Sequence, residues 1–407
     1  MKTLFKLARR NIWRNKRRTL LTMSSIFLAA FTALFTRSMQ FGTYDLMIDN
    51  TVRLSTGYIQ IHDKGYWENK SINNTFEDSP ALDEKLAGFD EITKVIPRLE
   101  SFALASSGKH TKGTIVIATD PAVEDAVGGL SEKIVQGSYL SEKDDGIIVA
   151  EKLAQFLGLT VGDTLVLLGQ GYHGVTAAAQ YPVKGIFHFP IPQLNNQLIY
   201  MALREGQNFY AAPNRLTSLS IMLQDESHLD DVLEKLKAEL DPQKYEVMRW
   251  EEMNRELVQA IQSDNAGGLI MLGILYIIIG FGVFGTVMMM TIERRKEFAV
   301  MIAVGMRKTQ LAFMTGIESI LIGIISILIG IITAYPIIYY LYVNPIPLSG
   351  DIAETMAVFG VEPILPFSID PTLFLNQGIT VFIIMIIAII YPISIIFRLN
   401  ILKAMRG

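Results

Sequence analysis

The chain has 407 residues, half of them apolar and only 19% charged. Soluble domains usually carry about 25% charged residues, so this fraction is low for a soluble protein. A net charge of −4 decides little, because the charges are segregated along the chain. The absence of cysteine excludes disulfides, thiolate nucleophiles and Cys-ligated metals.

Residues 1–18 are basic, with Lys2, Lys6, Arg9, Arg10, Arg14, Lys16, Arg17 and Arg18. Leu4, Phe5, Ala8, Ile12 and Trp13 fall on one face of a helix drawn through this stretch. It reads as an interfacial amphipathic helix, or as a basic stop signal without a fixed shape. Thr19–Thr36 carries no charge and, continued to residue 40, forms the first candidate span. No A-x-A-like site precedes Arg37, so this span is expected to be retained rather than cleaved.

Residues 41–264 have the mixed periodicity of an α+β domain. Tyr58 to His62 alternates like a strand, Ser79-Pro80 opens a short helix, and Lys94 to Leu104 is strand-like again. The order recurs at Ser218 to Leu223, then in a helix capped by Ser227, then at Tyr245 to Trp250. Leu229, Val232, Leu233, Leu236 and Leu240 form one face of that helix. Two βαβ units would pack as one layered domain, with a β-rich insert at about residues 115–210. Within the insert, strands are expected at 146–150, 163–168, 181–189 and 197–203, with a helix at Glu151–Leu157. Gly162 is expected to supply a positive φ in the turn before the second of these strands.

Residues 265–292 and 371–397 carry no charge, and 310–343 carries only Glu318. All are long enough for a ~30 Å hydrocarbon core, which needs about 20 apolar residues. Their excess length implies tilt or projection. The connection at 293–309 holds Arg294, Arg295, Lys296, Arg307 and Lys308, and the tail at 398–407 holds Arg398, Lys403 and Arg406. The 344–370 connection has no Lys or Arg but has Asp351, Glu354, Glu362 and Asp370. The positive-inside rule then puts both termini and 293–309 in the cytoplasm, and 41–264 and 344–370 outside.

Glu318 is either about 12 Å deep in the third span or at the headgroups, depending on whether the helix begins at Gln310 or before it. At the headgroups, Arg14 or Arg18 is a candidate partner. Gly316, Ser319, Gly323, Ser326, Gly330 and Thr333 form a stripe of small residues on the third span. Such stripes let helices approach closely, although small residues are common in membrane helices generally. The fourth span, rich in Ile, reads as the more lipid-exposed one. With so few ionisable groups in the spans, an ion channel or proton-coupled carrier is disfavoured. No Walker A loop, H-E-x-x-H or G-x-S-x-G motif occurs, and the five histidines are scattered.

Glu293-Arg-Arg-Lys-Glu-Phe-Ala-Val-Met-Ile-Ala-Val-Gly-Met306, with Gln310-Leu311 and Ile317 to Gly323, resembles the FtsX-like permease domain of MacB-type and LolC/LolE-type ABC transporters. Leu7 to Leu21, Ile147 to Asp163 and Val183 to Phe187 are similar to the same family. The resemblance implies four transmembrane α-helices, with a large α+β extracytoplasmic domain between the first two. That domain would have porter-like βαβ halves and an inserted β-rich subdomain. It implies a dimer of permeases on two ATPase subunits, working by mechanotransmission, with substrate handled outside the membrane.

By the same resemblance, a short cytoplasmic helix near Glu297 to Lys308 would couple to the ATPase. Glu293, Arg294, Arg295, Lys296, Glu297, Gly305, Met306, Arg307 and Lys308 are its expected coupling residues, and Glu318 is the acid at the start of the third span. No cofactor is expected in this subunit, since ATP and Mg would be bound by the separate ATPase. The expected partners are that ATPase dimer, a second permease subunit, a lipoprotein or other amphipathic substrate and membrane lipids, with no nucleic acid. The expected setting is the bacterial inner membrane, and the leading function is release of lipoproteins from it. The alternatives are export or sensing of antimicrobial peptides or macrolide-like compounds, and FtsX-like signalling to a cell-wall hydrolase.

Overall fold

The computed structural model describes residues 16–351, 353, 356 and 363–400. The amphipathic face of residues 1–15, Glu354, Glu362 and the tail residues Lys403 and Arg406 lie outside the described residues. Two compact units divide the chain, one comprising Leu46–Gln259 with Leu348–Pro363, the other the remainder.

Helix α1 runs Lys16–Thr51 and ends in a π-helical turn, Val52–Thr56. Gly57 follows at φ +67°, where an added Cβ would stand 2.9 Å from the backbone of Ile221. The outer domain continues with β1 (Ile59–Asp63), β2 (Phe76–Glu77), α2 (Pro80–Leu86), β3 (Ile92–Ser107), β4 (His110–Thr119), α3 (Pro121–Gly128) and β5 (Ile134–Gly137). Next come β6 (Ile147–Ala150), α4 (Glu151–Leu157), β7 (Thr164–Gln170), β8 (Thr176–Phe187), α5 (Pro192–Asn195), β9 (Leu198–Ala202) and α6 (Leu203–Phe209). The domain closes with β10 (Arg215–Leu216), β11 (Ser218–Leu223), α7 (Leu229–Glu239), β12 (Tyr245–Arg249) and α8 (Trp250–Met253).

The two βαβ arms interleave. The sheet order is β12-β1-β11-β3, and every neighbouring pair is antiparallel. Each arm's own strands are therefore parallel but separated by a strand of the other arm, the split βαβ arrangement. Alternate residues Ile59, Ile61, Leu219 and Ile221 are buried with Leu82, Leu86, Val232 and Leu236 from the two helices. Asp225, rather than Ser227, caps the chain into α7: its carboxylate accepts the Ser227 N–H at 2.8 Å, and α7 starts only at Leu229.

The insert begins earlier than residue 115. Strand β3 is one continuous ladder whose first half pairs with β11 and whose second half pairs with β4 and β7. The sheet then runs β4-β9-β6-β8, and β7 joins β8 back to β3. These strands close on themselves as a barrel, which leaves fewer open sheet edges. Val116, Val149, Leu165, Leu167, Val183 and Ile199 come from one face of these strands and are buried in its core. Helix Glu151–Leu157 is present, and Gly162 takes φ +93° in the turn before β7.

The second unit holds the long helices: part of α1, then α9 (Arg255–Glu293), α10 (Arg295–Ala303), α11 (Lys308–Val343) and α12 (Pro371–Arg398). A two-residue pairing of β13 (Ile346–Pro347) with β14 (Ile364–Leu365) lies between α11 and α12. Among the described residues, four helices are long and apolar enough to cross a membrane: those containing Thr19–Thr56, Arg255–Glu293, Lys308–Val343 and Pro371–Arg398. Ile26, Ala30, Val283, Val287, Ile322, Ile327, Val381 and Met385 pack in the bundle centre. The span least buried within the chain is the second. Its most apolar window is 17% buried, against 33% for the fourth, where Val381, Met385, Ala388 and Ile389 turn inward.

The small-residue stripe on α11 is a packing seam along part of its length. Ser319, Gly323, Ser326 and Gly330 are buried. A Cβ on Gly323 would collide with the Met385 side chain, and one on Gly330 would lie 3.0 Å from Ala30 Cβ. Gly316 has open space beside it and Thr333 is exposed, so neither belongs to the seam. The helical repeat carries the buried line to Ala334 and Ile338 instead.

Candidate functional site

The expected coupling residues lie at one end of the helical unit. Helix α9 stops at Glu293, and α10 begins two residues later and runs only to Ala303. The expected helix at 297–308 is therefore displaced toward the N-terminus. Gly305, at φ +106°, makes the reversal, which few side-chain-bearing residues tolerate. Lys308 already belongs to the third long helix, and the Arg307 N–H donates to Gln310 Oε1 at 3.2 Å at its start.

A small apolar core fixes α10 in place: Phe298 and Ala299 pack with Leu311, Ala312, Met314, Ile396 and Leu399. Met306 is half-buried against the same core. The Lys308 ammonium donates to the carbonyls of Phe397 and Leu399, at 2.9 and 3.0 Å. A cation on the last carbonyls satisfies groups that a helix end leaves open and matches its dipole. Lys308 therefore ties the beginning of α11 to the end of α12.

Arg294 and Glu318 are each 3% exposed. The Arg294 Nη1 lies 2.8 and 2.9 Å from the two Glu318 oxygens. Its Nε lies 3.5 Å from Glu297, and its guanidinium is 5.3 Å from the Phe298 ring centre. Arg294 is thus a partner of Glu318 that the sequence reading did not name. Arg14 and the Arg18 side chain lie outside the described residues. Arg294 sits in the break between α9 and α10, directly across from the third turn of α11. Glu318 accordingly belongs to the end of the bundle, and Arg294 is turned inward rather than toward a docking partner.

What remains outward-facing is a mixed surface. Glu293, Arg295, Lys296 and Arg307 are exposed and Glu297 is half-buried. Between them Val300 is 50% exposed and Val304 84%. The two valines were missed by the sequence reading, although their spacing of four places them on one helix face, one residue round from buried Ala299.

A second polar cluster, also missed, lies where α1 and α9 meet within the helical unit. Arg37, 7% exposed, donates to Gln40 Oε1 at 2.7 Å and Asn265 Oδ1 at 3.1 Å. Tyr44 donates to Asp264 at 2.5 Å. Gly268 makes room for the Gln40 side chain, which a Cβ there would strike. Residues 265–292 and 371–397 themselves carry no charge.

Comparison with known proteins agrees with both units. A model of the MacB-like periplasmic core domain matches residues 19–239, and a model of the FtsX-like permease C-terminal domain matches residues 269–401. The chain belongs to the MacB-like periplasmic core domain family, with an FtsX-like permease C-terminal region, and is a multi-pass membrane protein with a large extracytoplasmic domain. An uncharacterised ABC transporter permease of Mycobacterium tuberculosis is 24% identical over 55% of this chain and 26% of its own length. The lipoprotein-releasing system transmembrane protein LolC of Xylella fastidiosa is 24% identical over 52% of each chain. The match thus spans about half or less of these relatives. The periplasmic region of MacB from Actinobacillus actinomycetemcomitans aligns with 49% of this chain and 91% of its own, at 15% identity and TM-score 0.34.

Proposed function

We propose that the protein is the membrane subunit of an ABC transporter that works by mechanotransmission, and that its substrate is a lipoprotein released from the outer face of the bacterial inner membrane. Both termini and the 293–309 connection then face the cytoplasm. A separate ATPase dimer binds ATP and Mg and docks on the surface formed by Arg295, Lys296, Val300, Val304 and Arg307. A second permease subunit completes the complex, and this subunit itself hydrolyses no ATP.

One observation carries this reading. Glu318, the one charge within 310–343, is neutralised by Arg294 at the bundle end, while 265–292 and 371–397 carry none. A carrier that moves ions or polar solutes between helices needs ionisable groups along the path. A machine that moves its outer domain needs stiff, apolar helices and a firm hold at the driven end. The buried seam on α11, the Arg294–Glu318 pair and the Lys308 cap are suited to that task.

The test is to purify the chain from native membrane with whatever ATPase accompanies it and to reconstitute both in vesicles. Release of a fluorescent triacylated lipoprotein is then followed with ATP, beside the same protein without acyl chains. The expected result is ATP-dependent release of the acylated form alone. Efflux of a cationic peptide or macrolide instead would move the substrate to the export reading. Stimulation of a co-purified cell-wall hydrolase, with no substrate moved, would replace transport by signalling.

A further inference from the structure

Strand β3 belongs to both lobes of the outer domain, and Arg98 stands at the crossing. It is opposite Ser218 of the split βαβ sheet on one side and Thr119 of the barrel on the other. Its side chain, 1% exposed, reaches inward to Glu124, which is equally buried. The guanidinium donates through Nε to Glu124 Oε2 at 2.9 Å and through Nη2 to Oε1 at 2.5 Å. Its remaining arm, Nη1, donates to the carbonyl of Ser55 in the π turn that ends α1. Glu124 lies in the first turn of α3 and also accepts the Thr119 hydroxyl at 3.0 Å. At the other end of α3, a Cβ on Gly128 would stand 2.9 Å from Leu54 of the same π turn.

A π turn widens the helix by one residue and leaves carbonyls poorly placed for their usual partners. Here the Gly57 N–H bonds back to Val52 at 2.8 Å, while Ser55 offers its carbonyl to Arg98. A buried ion pair contributes little net stability over an apolar pair of the same shape. What an arginine fork adds is fixed geometry, because its donors are rigidly splayed and can hold a carboxylate and a carbonyl together.

We propose that Arg98 and Glu124 form a positioning clasp that fixes the π-helical end of α1 to the barrel lobe, so that the barrel and the split βαβ sheet follow one lever. The proposal rests on the transport reading only for what moves α1. It also explains why the pair sits at the crossing of the two lobes rather than within either core.

The chain contains no cysteine, so spin labels can be placed without background. Asp49→Cys is paired with Val135→Cys on the barrel lobe, and separately with Lys237→Cys on α7. All three positions are exposed. Distances are measured by electron–electron resonance on the full chain in lipid nanodiscs, with Arg98 and Glu124 present or replaced together by Met. The expected result is that R98M/E124M widens the 49–135 distribution about twofold or more, as a loosened hinge would, and leaves 49–237 unchanged. Arg98→Lys, which keeps the charge but not the fork, falls between. Two distributions as narrow as in the parent protein would overturn the clasp. Widening of both would overturn it too, since the pair would then hold up the whole domain. Neither measurement needs nucleotide. With the co-purified ATPase added, a parent protein in which ATP shifts neither distance would count against mechanotransmission and leave the clasp result standing.

Discussion

Two buried side chains set the most direct tests at the scale of single residues. Arg294 and Glu318 form an ion pair in a site from which water is largely excluded, so removing either one leaves the other as a buried charge that has lost this pairing. Arg294→Met or Glu318→Leu alone should cost about 3–5 kcal/mol, and the double change much less. Thermal unfolding in detergent would read this, and equal losses in all three variants would show that the pair has no such role. His62 gives a pH-dependent case. It is fully buried, with Nε2 2.7 Å from Gln60 Oε1, and its ring stacks near Trp67 at 5.6 Å between centres. Burial, with a smaller contribution from Lys70, depresses its pKa from 6.5 to about 3. The unfolded chain therefore binds the proton first. Stability is complete above pH 6.5 and falls by up to about 1.4 kcal/mol per pH unit as the pH drops toward 3. Denaturation of the full chain followed by tryptophan fluorescence should show this slope, and His62→Gln should flatten it.

At the scale of elements, helix packing and helix docking make separable predictions. Gly330→Val puts two methyl groups against Ala30 and the Phe27 carbonyl, which lie 3.0 and 3.4 Å from the first added carbon alone. Overpacking of this kind costs about 1–3 kcal/mol. Gly316→Ala, with nothing within 4 Å, should be neutral or slightly stabilising. Thermal midpoints of the two variants should differ clearly, and equal values would contradict the seam. On α10 the logic reverses. Arg295→Glu with Arg307→Glu, or Val304→Asp, alters only exposed side chains and should leave unfolding unchanged. Each should lower ATPase co-purification and substrate-coupled ATP hydrolysis. Full transport by these variants would remove α10 from the coupling role.

For the whole molecule, what could be read in the sequence follows from how local each signal is. Charge-free runs longer than a bilayer and caps such as Pro80 are local, and the corresponding helices stand in the structure. The βαβ arms are also visible, because each strand alternates and α7 carries one apolar stripe. Their interleaving is not, since it depends on which strands meet. Strand β3 hides the lobe boundary because nothing breaks it between Ile92 and Ser107. The Arg98–Glu124 pair and the Arg37 cluster were invisible for the same reason, joining residues that only the folded chain brings together. Arg294 was misread as outward-facing because a basic run looks alike whether its members face water or a buried acid.

The orientation of the chain across the membrane remains a matter of charge asymmetry, and the absence of cysteine makes it directly testable. Val135, on the barrel lobe, is 52% exposed, and Val304, in the turn after α10, is 84% exposed. Each can become a lone cysteine without disturbing packing. If basic connections stay on the cytoplasmic side, a membrane-impermeant maleimide should label Val135→Cys in intact spheroplasts. It should label Val304→Cys only after the membrane is opened. Labelling of Val304→Cys from outside would invert the topology. The proposed ATPase dock and the proposed handling of lipoproteins outside the membrane would then both fail, because a cytoplasmic ATPase could not reach the one and an outer-face substrate could not reach the other.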